Sequence, residues 1–301
     1  MIAGYTQGAR IRALFEYADD DVAVIAPFIK VDALRSLLEI IPDALHLRCV
    51  SRWLPREIAA GVSDPEVLDL LEVRGNFSLS LVDRLHAKLY IAGDRCLVGS
   101  ANVTGAGFGE GGAGSNIEVL VESSIDDPGI AATLEAIAQA ERAATRSMAR
   151  TARRLADSLS ISMKLADASD VRWFPRSRRP EQVYRFYIDL PTGFVGAADR
   201  IVLTDLASSN LPPGLEEHKF KDAIRSLLAA IPPAETLLES SDDTTLTRAD
   251  ASSWLETISG DEFSANDLWI AFVNWMAYFF PDRVMKQEIA EIALRRARVL
   301  G

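Results

Sequence analysis

Over residues 1–125 the hydrophobic positions switch repeatedly between two periods. Residues 9–18, 31–41 and 64–73 carry apolar side chains at helical spacing, the last with Ser63 or Asp64 placed to cap it. Between them, residues 21–27 and 44–50 are short apolar runs of the kind a buried strand needs, and residues 76–82 alternate with period two. Residues 85–92, 95–98 and 116–121 predict further strands, and 105–114 a glycine-rich loop. Helices and strands in this alternation predict an α/β sandwich around a mixed sheet.

The pattern changes after residue 125. Residues 126 to about 165, rich in Ala and Arg, predict one long helix. Pro175 and Pro180 mark residues 169–180 as a linker or exposed loop, and 183–189 reads as a strand. After Pro213 the chain becomes mainly helical, over 215–230, 248–259, 265–280 and 282–299, with a polar loop at 240–250. Residues 265–280 are almost continuously apolar, which suits core first and an oligomer interface second. The chain therefore divides into an α/β domain at 1–125, a basic helical connector at 126–168 and a mainly helical domain at 169–301 for dimerisation or target binding.

Composition narrows the class. The 301 residues are 49% hydrophobic and 25% charged, an ordinary globular balance. No apolar run reaches a membrane span and the first residues lack a signal-peptide pattern, so the expectation is a cytoplasmic protein without membrane association. Cys49 and Cys96 lie in apolar runs and read as buried thiols. With them, His46, His86 and His218 form no zinc-like spacing, so neither metal nor cofactor is expected. The net charge of −11 speaks against a chain that is basic throughout, but says nothing of local patches.

Two short stretches carry candidate chemistry. In Leu85-His86-Ala87-Lys88-Leu89-Tyr90, a histidine and a lysine stand two apart on a strand-like run and so share a face. In Gly99-Ser100-Ala101-Asn102-Val103-Thr104, a turn can bring a hydroxyl, an amide and backbone N–H groups to one spot. Histidine serves as a nucleophile, lysine as a phosphate clamp, and Ser100 and Asn102 as neutral donors. The set suits attack on a phosphodiester.

These residues resemble the phospholipase D superfamily, whose pattern is His-x-Lys, an Asp, then Gly-Ser-x-Asn. His86, Lys88, Gly99, Ser100 and Asn102 match, and Glu118 stands where the family often has an acidic residue. Asn102-Val103-Thr104 and Asn116-Ile117-Glu118-Val119 look more like bacterial nuclease members, a branch that includes some restriction endonucleases. The family Asp position holds Gly93, with Asp94 one place later in what reads as a tightened hairpin turn. The resemblance implies a phospholipase D-like α/β/α sandwich with a mixed sheet, followed by a mainly helical C-terminal region. Family sites use two such motifs and this chain has one, since His218-Lys219-Phe220-Lys221 has the wrong spacing. Single-motif members pair two chains, so a homodimer sharing one site is implied. In it one His86 attacks phosphorus, the other protonates the leaving oxygen and then activates water, and Lys88, Ser100 and Asn102 neutralise the phosphoryl oxygens. Glu118 would either orient His86 or pair with an arginine.

Nucleic acid is the substrate the basic residues favour. Arg146, Arg150 and Arg153 recur at helical spacing with Arg142 and Arg154, and Arg176, Arg178 and Arg179 follow, interleaved downstream with Trp173, Phe174, Tyr184, Phe186 and Tyr187. Arginines bind backbone phosphates and flat rings stack on bases. The alternative is a solvated helix face whose arginines pair with the chain's many acids. Arg52 and Arg84 add basic groups beside the motif. The leading expectation is a metal-independent phosphodiesterase cleaving DNA or RNA through a phosphohistidine, with a restriction or phage-defence role and partner proteins of a defence system implied by the resemblance. The rivals are a phospholipase or phosphatidyl transferase, and an inactive binding or scaffold subunit.

Overall fold

The computed structural model describes residues 6–110, 115–163, 173–189, 196–239, 245–288 and 292–296. They form two compact units, Met1–Arg153 and Arg154–Gly301. The first carries α1 (Gln7–Glu16), β1 (Val22–Ile25), α2 (Val31–Leu38), β2 (Leu47–Ser51), α3 (Pro55–Ala59), α4 (Val67–Arg74), β3 (Phe77–Leu81), β4 (Leu89–Ala92), β5 (Arg95–Gly99), α5 (Gly105–Phe108), β6 (Leu120–Ser124), α6 (Pro128–Ala140), β7 (Arg142–Ala143) and the start of α7 (Arg146–Met163).

The sheet order is β6-β5-β4-β1-β2-β3-β7. Strands β1, β2 and β3 run parallel and the other pairings are antiparallel, so the sheet is mixed, as the sequence pattern predicts. Successive residues of β4 serve opposite faces. Tyr90 meets Phe15 of α1 edge-on at 6.4 Å. Leu89 and Ile91 join Ile25, Val50 and Ile130 and Ile137 of α6 in a core cluster on the other side. Thr6 caps α1 by accepting from Ala9 N (3.1 Å), and Asp127 caps α6 by accepting from Gly129 N (2.9 Å).

Several boundaries depart from the pattern. The cap expected at Ser63 or Asp64 is absent, and Glu66 stands at the N-cap of α4. Asp64 instead accepts from Val31 N (3.0 Å) and Lys30 Nζ (2.8 Å), fastening the start of α2. The glycine-rich stretch opens as a helical turn, α5, because Thr104 accepts from Gly107 N at 3.0 Å; residues 111–114 lie outside the described residues. The helix expected over 126–165 is broken. Glu141 turns extended, and Arg142–Ala143 leaves the helix to pair with Ser80 and Leu81 of β3, where Arg142 also meets Asp83 at 2.6 Å. Residues 126–153 thus belong to the first unit.

The second unit holds α8 (Pro180–Ile188), α9 (Ala197–Ser209), α10 (Glu217–Ala229), α11 (Pro232–Glu239), β8 (Thr245–Leu246), α12 (Ser252–Ile258), α13 (Ala265–Phe279), β9 (Val284–Glu288) and β10 (Ile292–Arg296). The helical expectations at 215–230 and 265–280 hold, and α13 is core: Trp269, Phe272, Trp275 and Met276 are buried. The strand expected at 183–189 is helix α8, since Val183, Phe186 and Tyr187 at helical spacing bury one face. The exposed loop expected at 169–180 is packed over 173–179: Trp173 and Phe174 are buried, Phe174 stacking on Phe272 at 5.8 Å. Of the helix expected at 282–299, Val284–Glu288 and Ile292–Arg296 are instead the antiparallel β9–β10 ladder, with β8 beside it, and 289–291 and 297–299 lie outside the described residues. Val284 is buried and Met285 exposed, the alternation of a strand.

Candidate active site

His86, Lys88, Ser100, Asn102 and Glu118 come from three neighbouring segments at one end of the first sheet. His86 and Lys88 lie in an extended stretch just before β4, not on the strand itself. Two backbone bonds join the segments: Gly99 N donates to Lys88 O (3.2 Å) and Ser100 N to Val119 O (3.0 Å). Gly99 is required there. A Cβ on it would fall onto the Val119 carbonyl, so only glycine lets the Ser100 turn approach the start of β6. Gly107 plays the same part against the Asn102 carbonyl.

The side chains divide by burial. The His86 residue is exposed, whereas Lys88 is 7% exposed and donates from Nζ to the His86 carbonyl at 2.8 Å. The shared face predicted from their spacing therefore gives way to a lysine folded back on the histidine's backbone. Burial pushes the Lys88 ammonium below its ordinary value, Arg52 adds to that, and Glu118 opposes it. Ser100 Oγ donates to Glu118 and accepts from Val119 N at 3.1 Å. The other Glu118 oxygen accepts from Asn116 Nδ2 at 3.0 Å. Glu118 thus holds the Ser100 hydroxyl, and neither expected partner, His86 or an arginine, appears among these bonds. It also precedes β6, where the sequence pattern put it on the strand. Asn102 Oδ1 accepts from Phe28 N at 3.4 Å, which directs its amide nitrogen elsewhere.

Arg52 is built into this frame. Its NH1 donates to Leu85 O at 2.7 Å, its other nitrogens grip the Glu57 carboxylate, and its guanidinium lies 5.4 Å from the Phe28 ring centre. The sequence reading placed Arg52 on substrate; the structure engages it as a clamp on the residue before His86. Phe28 and Glu57 were missed, because nothing in their spacing marks them. Arg84 is exposed in the turn before His86, and Asp94 sits in the β4–β5 turn as expected.

The basic helix is largely matched by acids of its own unit. Arg146 pairs with Glu72, and Arg153 with Glu66 through two bonds of 2.7 Å. Arg150 is exposed. The paired-arginine alternative thus holds for Arg146 and Arg153. Trp173, Phe174, Phe186 and Tyr187 are buried in the second unit, so they are core and not a base-stacking platform. Arg176, Arg178 and Arg179 lie around a cleft of that unit. Burial raises the Cys49 thiol to about 12 and Cys96 to about 11, which keeps both protonated. His46 bonds Ser78 at 3.1 Å, and His218 is exposed on α10. Among the described residues, no His, Cys, Asp and Glu group could hold a metal, and no helix is long and apolar enough to cross a membrane.

No family model and no curated protein matches this chain. Solved structures similar to it include the following three. NucT from Helicobacter pylori has 16% identity and a TM-score of 0.34, over 44% of this chain and 84% of its own. TrmBL2, an archaeal chromatin protein, has 15% identity and a TM-score of 0.27, over 44% of this chain and 47% of its own. Phosphatidylserine synthase of Haemophilus influenzae Rd KW20 has 13% identity and a TM-score of 0.34, over 82% of this chain and 64% of its own.

Proposed function

We propose that the chain is a metal-independent phosphodiesterase of the phospholipase D type, most simply a nuclease acting on DNA or RNA, with one site shared by a homodimer. The observation that carries this reading is the joining of Lys88, Ser100 and Glu118 beside an exposed His86 through the Lys88–Gly99 and Ser100–Val119 backbone bonds. A candidate nucleophile thus stands beside a buried cation and a hydroxyl held by Glu118, which supports the reading.

In this mechanism His86 Nε2 attacks phosphorus and displaces the leaving oxygen, which takes a proton from His86 of the partner subunit. Water, deprotonated by that second imidazole, then attacks the phosphohistidine and releases the phosphate and His86. Lys88 and the Asn102 amide stabilise the charge on the non-bridging oxygens. Glu118 positions Ser100 and moderates the depression of Lys88. The expected defence role adds partner proteins but changes none of these steps.

Purified protein incubated in EDTA with plasmid, single-stranded DNA and RNA tests the proposal. Cleavage that survives EDTA and falls by about a thousandfold or more in His86→Ala is expected. Strict dependence on added metal would overturn it. Release of headgroup from phosphatidylcholine, without nucleic-acid cleavage, would favour the lipase reading, and silence on every substrate the scaffold.

A further inference from the structure

The second unit contains an open cleft of about 420 Å³ that the proposed chemistry does not use. That size falls within the range of small-ligand sites. Arg176, Arg178 and Arg179 line it together with Ser177, Ile201 and Phe263. The loop that carries the arginines is pinned from beneath. Asp205, 1% exposed, accepts from Arg176 N (2.9 Å) and Ser177 N (2.8 Å). Trp275 Nε1 donates to Ser177 O at 2.8 Å, Asn274 Nδ2 to Arg178 O at 3.0 Å, and Trp173 Nε1 to Asp205 O at 2.9 Å. A loop held at this many points presents its side chains already ordered, which lowers the entropy lost on binding.

The cleft offers donors in excess. Arg178 reaches Asp267 through one nitrogen at 2.5 Å, and Arg179 stands 3.9 Å from Asp199. The Arg176 guanidinium lies over the Phe263 ring at 5.7 Å. Each guanidinium has five N–H donors, so single contacts of this kind leave most of them free for a ligand. Glu262 and Asp267 also border the cleft and offset two of its three arginine charges. Ser177, 3% exposed, lines the same space with its hydroxyl beside Asp205. Helices α8, α9 and α13 all begin here, at Pro180, Ala197 and Ala265, and neither α8 nor α9 has a side-chain cap. Helix starts carry partial positive charge and unpaired N–H groups.

A guanidinium fork takes oxyanion oxygens in pairs, and a tetrahedral phosphate has enough oxygens to engage more than one of these arginines. Phe263 and Ile201 give an apolar wall for whatever the anion is attached to. We propose that this cleft binds the phosphate of a nucleotide, free or within a strand. The anion site stands on the cleft itself; the attached nucleoside rests on the phosphodiesterase reading.

The test titrates inorganic phosphate, AMP and a labelled single-stranded oligonucleotide into the full chain, by calorimetry and fluorescence anisotropy. Wild type, His86→Ala, Arg179→Gln and the double variant Arg176→Gln/Arg179→Gln are compared. The substitutions leave the backbone bonds to Asp205 in place, and the single change at half-exposed Arg179 covers the case in which the double variant melts early. Saturable binding is expected that persists in His86→Ala and weakens about tenfold or more in the double variant. AMP displaced by phosphate identifies a free nucleotide, and oligonucleotide bound without AMP identifies a strand. Equal affinity in wild type and both arginine variants, binding lost in His86→Ala, or no binding of any probe overturns the proposal. Cleavage that survives His86→Ala would instead sink the His86 mechanism and leave the anion site standing.

Discussion

Lys88 is the residue where function and stability pull apart. Burial holds its folded value below the ordinary 10.5, so at neutral pH the charged ammonium costs the folded state stability. As pH rises through the window between the lowered folded value and 10.5, the unfolded chain keeps its proton longer than the folded one, and stability rises. Lys88→Met is therefore expected to melt above wild type at pH 7, with the gap closing as pH approaches 10.5, while cleavage falls by about a hundredfold or more. Thermal melts across pH read the first part, and a lower melting point at pH 7 would refute it. Arg52 makes the complementary case. Arg52→Ala leaves the Leu85 carbonyl and Glu57 without a partner, at about 1–3 kcal/mol, and urea unfolding reads the loss. Arg52→Lys restores charge but not the two-pronged grip on Glu57, so it is expected to recover only part of the stability.

At the level of elements, close approach and buried anchors decide. Gly99→Ala drives a methyl into the Val119 carbonyl and must part β5 from the start of β6, so cleavage and melting temperature are expected to fall together. In the second unit Asp205 fastens the 173–179 loop to α9, and burial raises it to about 6 against hydrogen bonds from Ser177 and Arg176 that lower it. A raised carboxyl binds more protons folded than unfolded between 3.8 and about 6, so its contribution to stability declines as pH rises through that window. Asp205→Asn should abolish this declining component in urea unfolding at pH 4.5 and 6.5, and an unchanged pH profile would count against it. The same elements show what a sequence discloses. Order and type of strands β1 to β5 were legible because short apolar runs between caps and turns leave few options. Spacing and the family resemblance single out His86, Lys88, Ser100 and Asn102, and the structure joins their segments through the Gly99–Lys88 and Ser100–Val119 backbone bonds. Hidden was whatever depends on partners far along the chain. Ser80 and Leu81 capture residues 142–143 out of a helix, Asp64 serves α2 instead of capping its own helix, and aromatics at 183–187 with high strand propensity follow the helical period of their burial. The grip of Arg52 on Leu85 O and Glu57 was not legible, because an arginine near a motif looks the same in sequence whether it meets a phosphate or a carbonyl.

For the molecule as a whole, the shared-site reading turns on two copies meeting. Mixing wild type with an equal amount of His86→Ala and allowing exchange is expected to lower total activity to about half by random pairing, whereas independent sites would leave it unchanged. Exposed Ile117 and Val119 flank Glu118, and exposed Val121 follows on β6. Ile117→Lys with Val119→Lys is expected to shift sedimentation toward monomer and to remove cleavage with it. Net charge separates pairing from substrate binding. At −11, two copies repel, and added salt screens that repulsion, so dimerisation should strengthen as salt rises. Nucleic-acid affinity should fall over the same range, because arginine contacts release counterions on binding. Sedimentation and anisotropy measured across one salt series should therefore move in opposite directions. If both weaken together, charge-paired contacts and not the apolar strip hold the dimer, and the surface at Ile117 and Val119 is excluded as its interface.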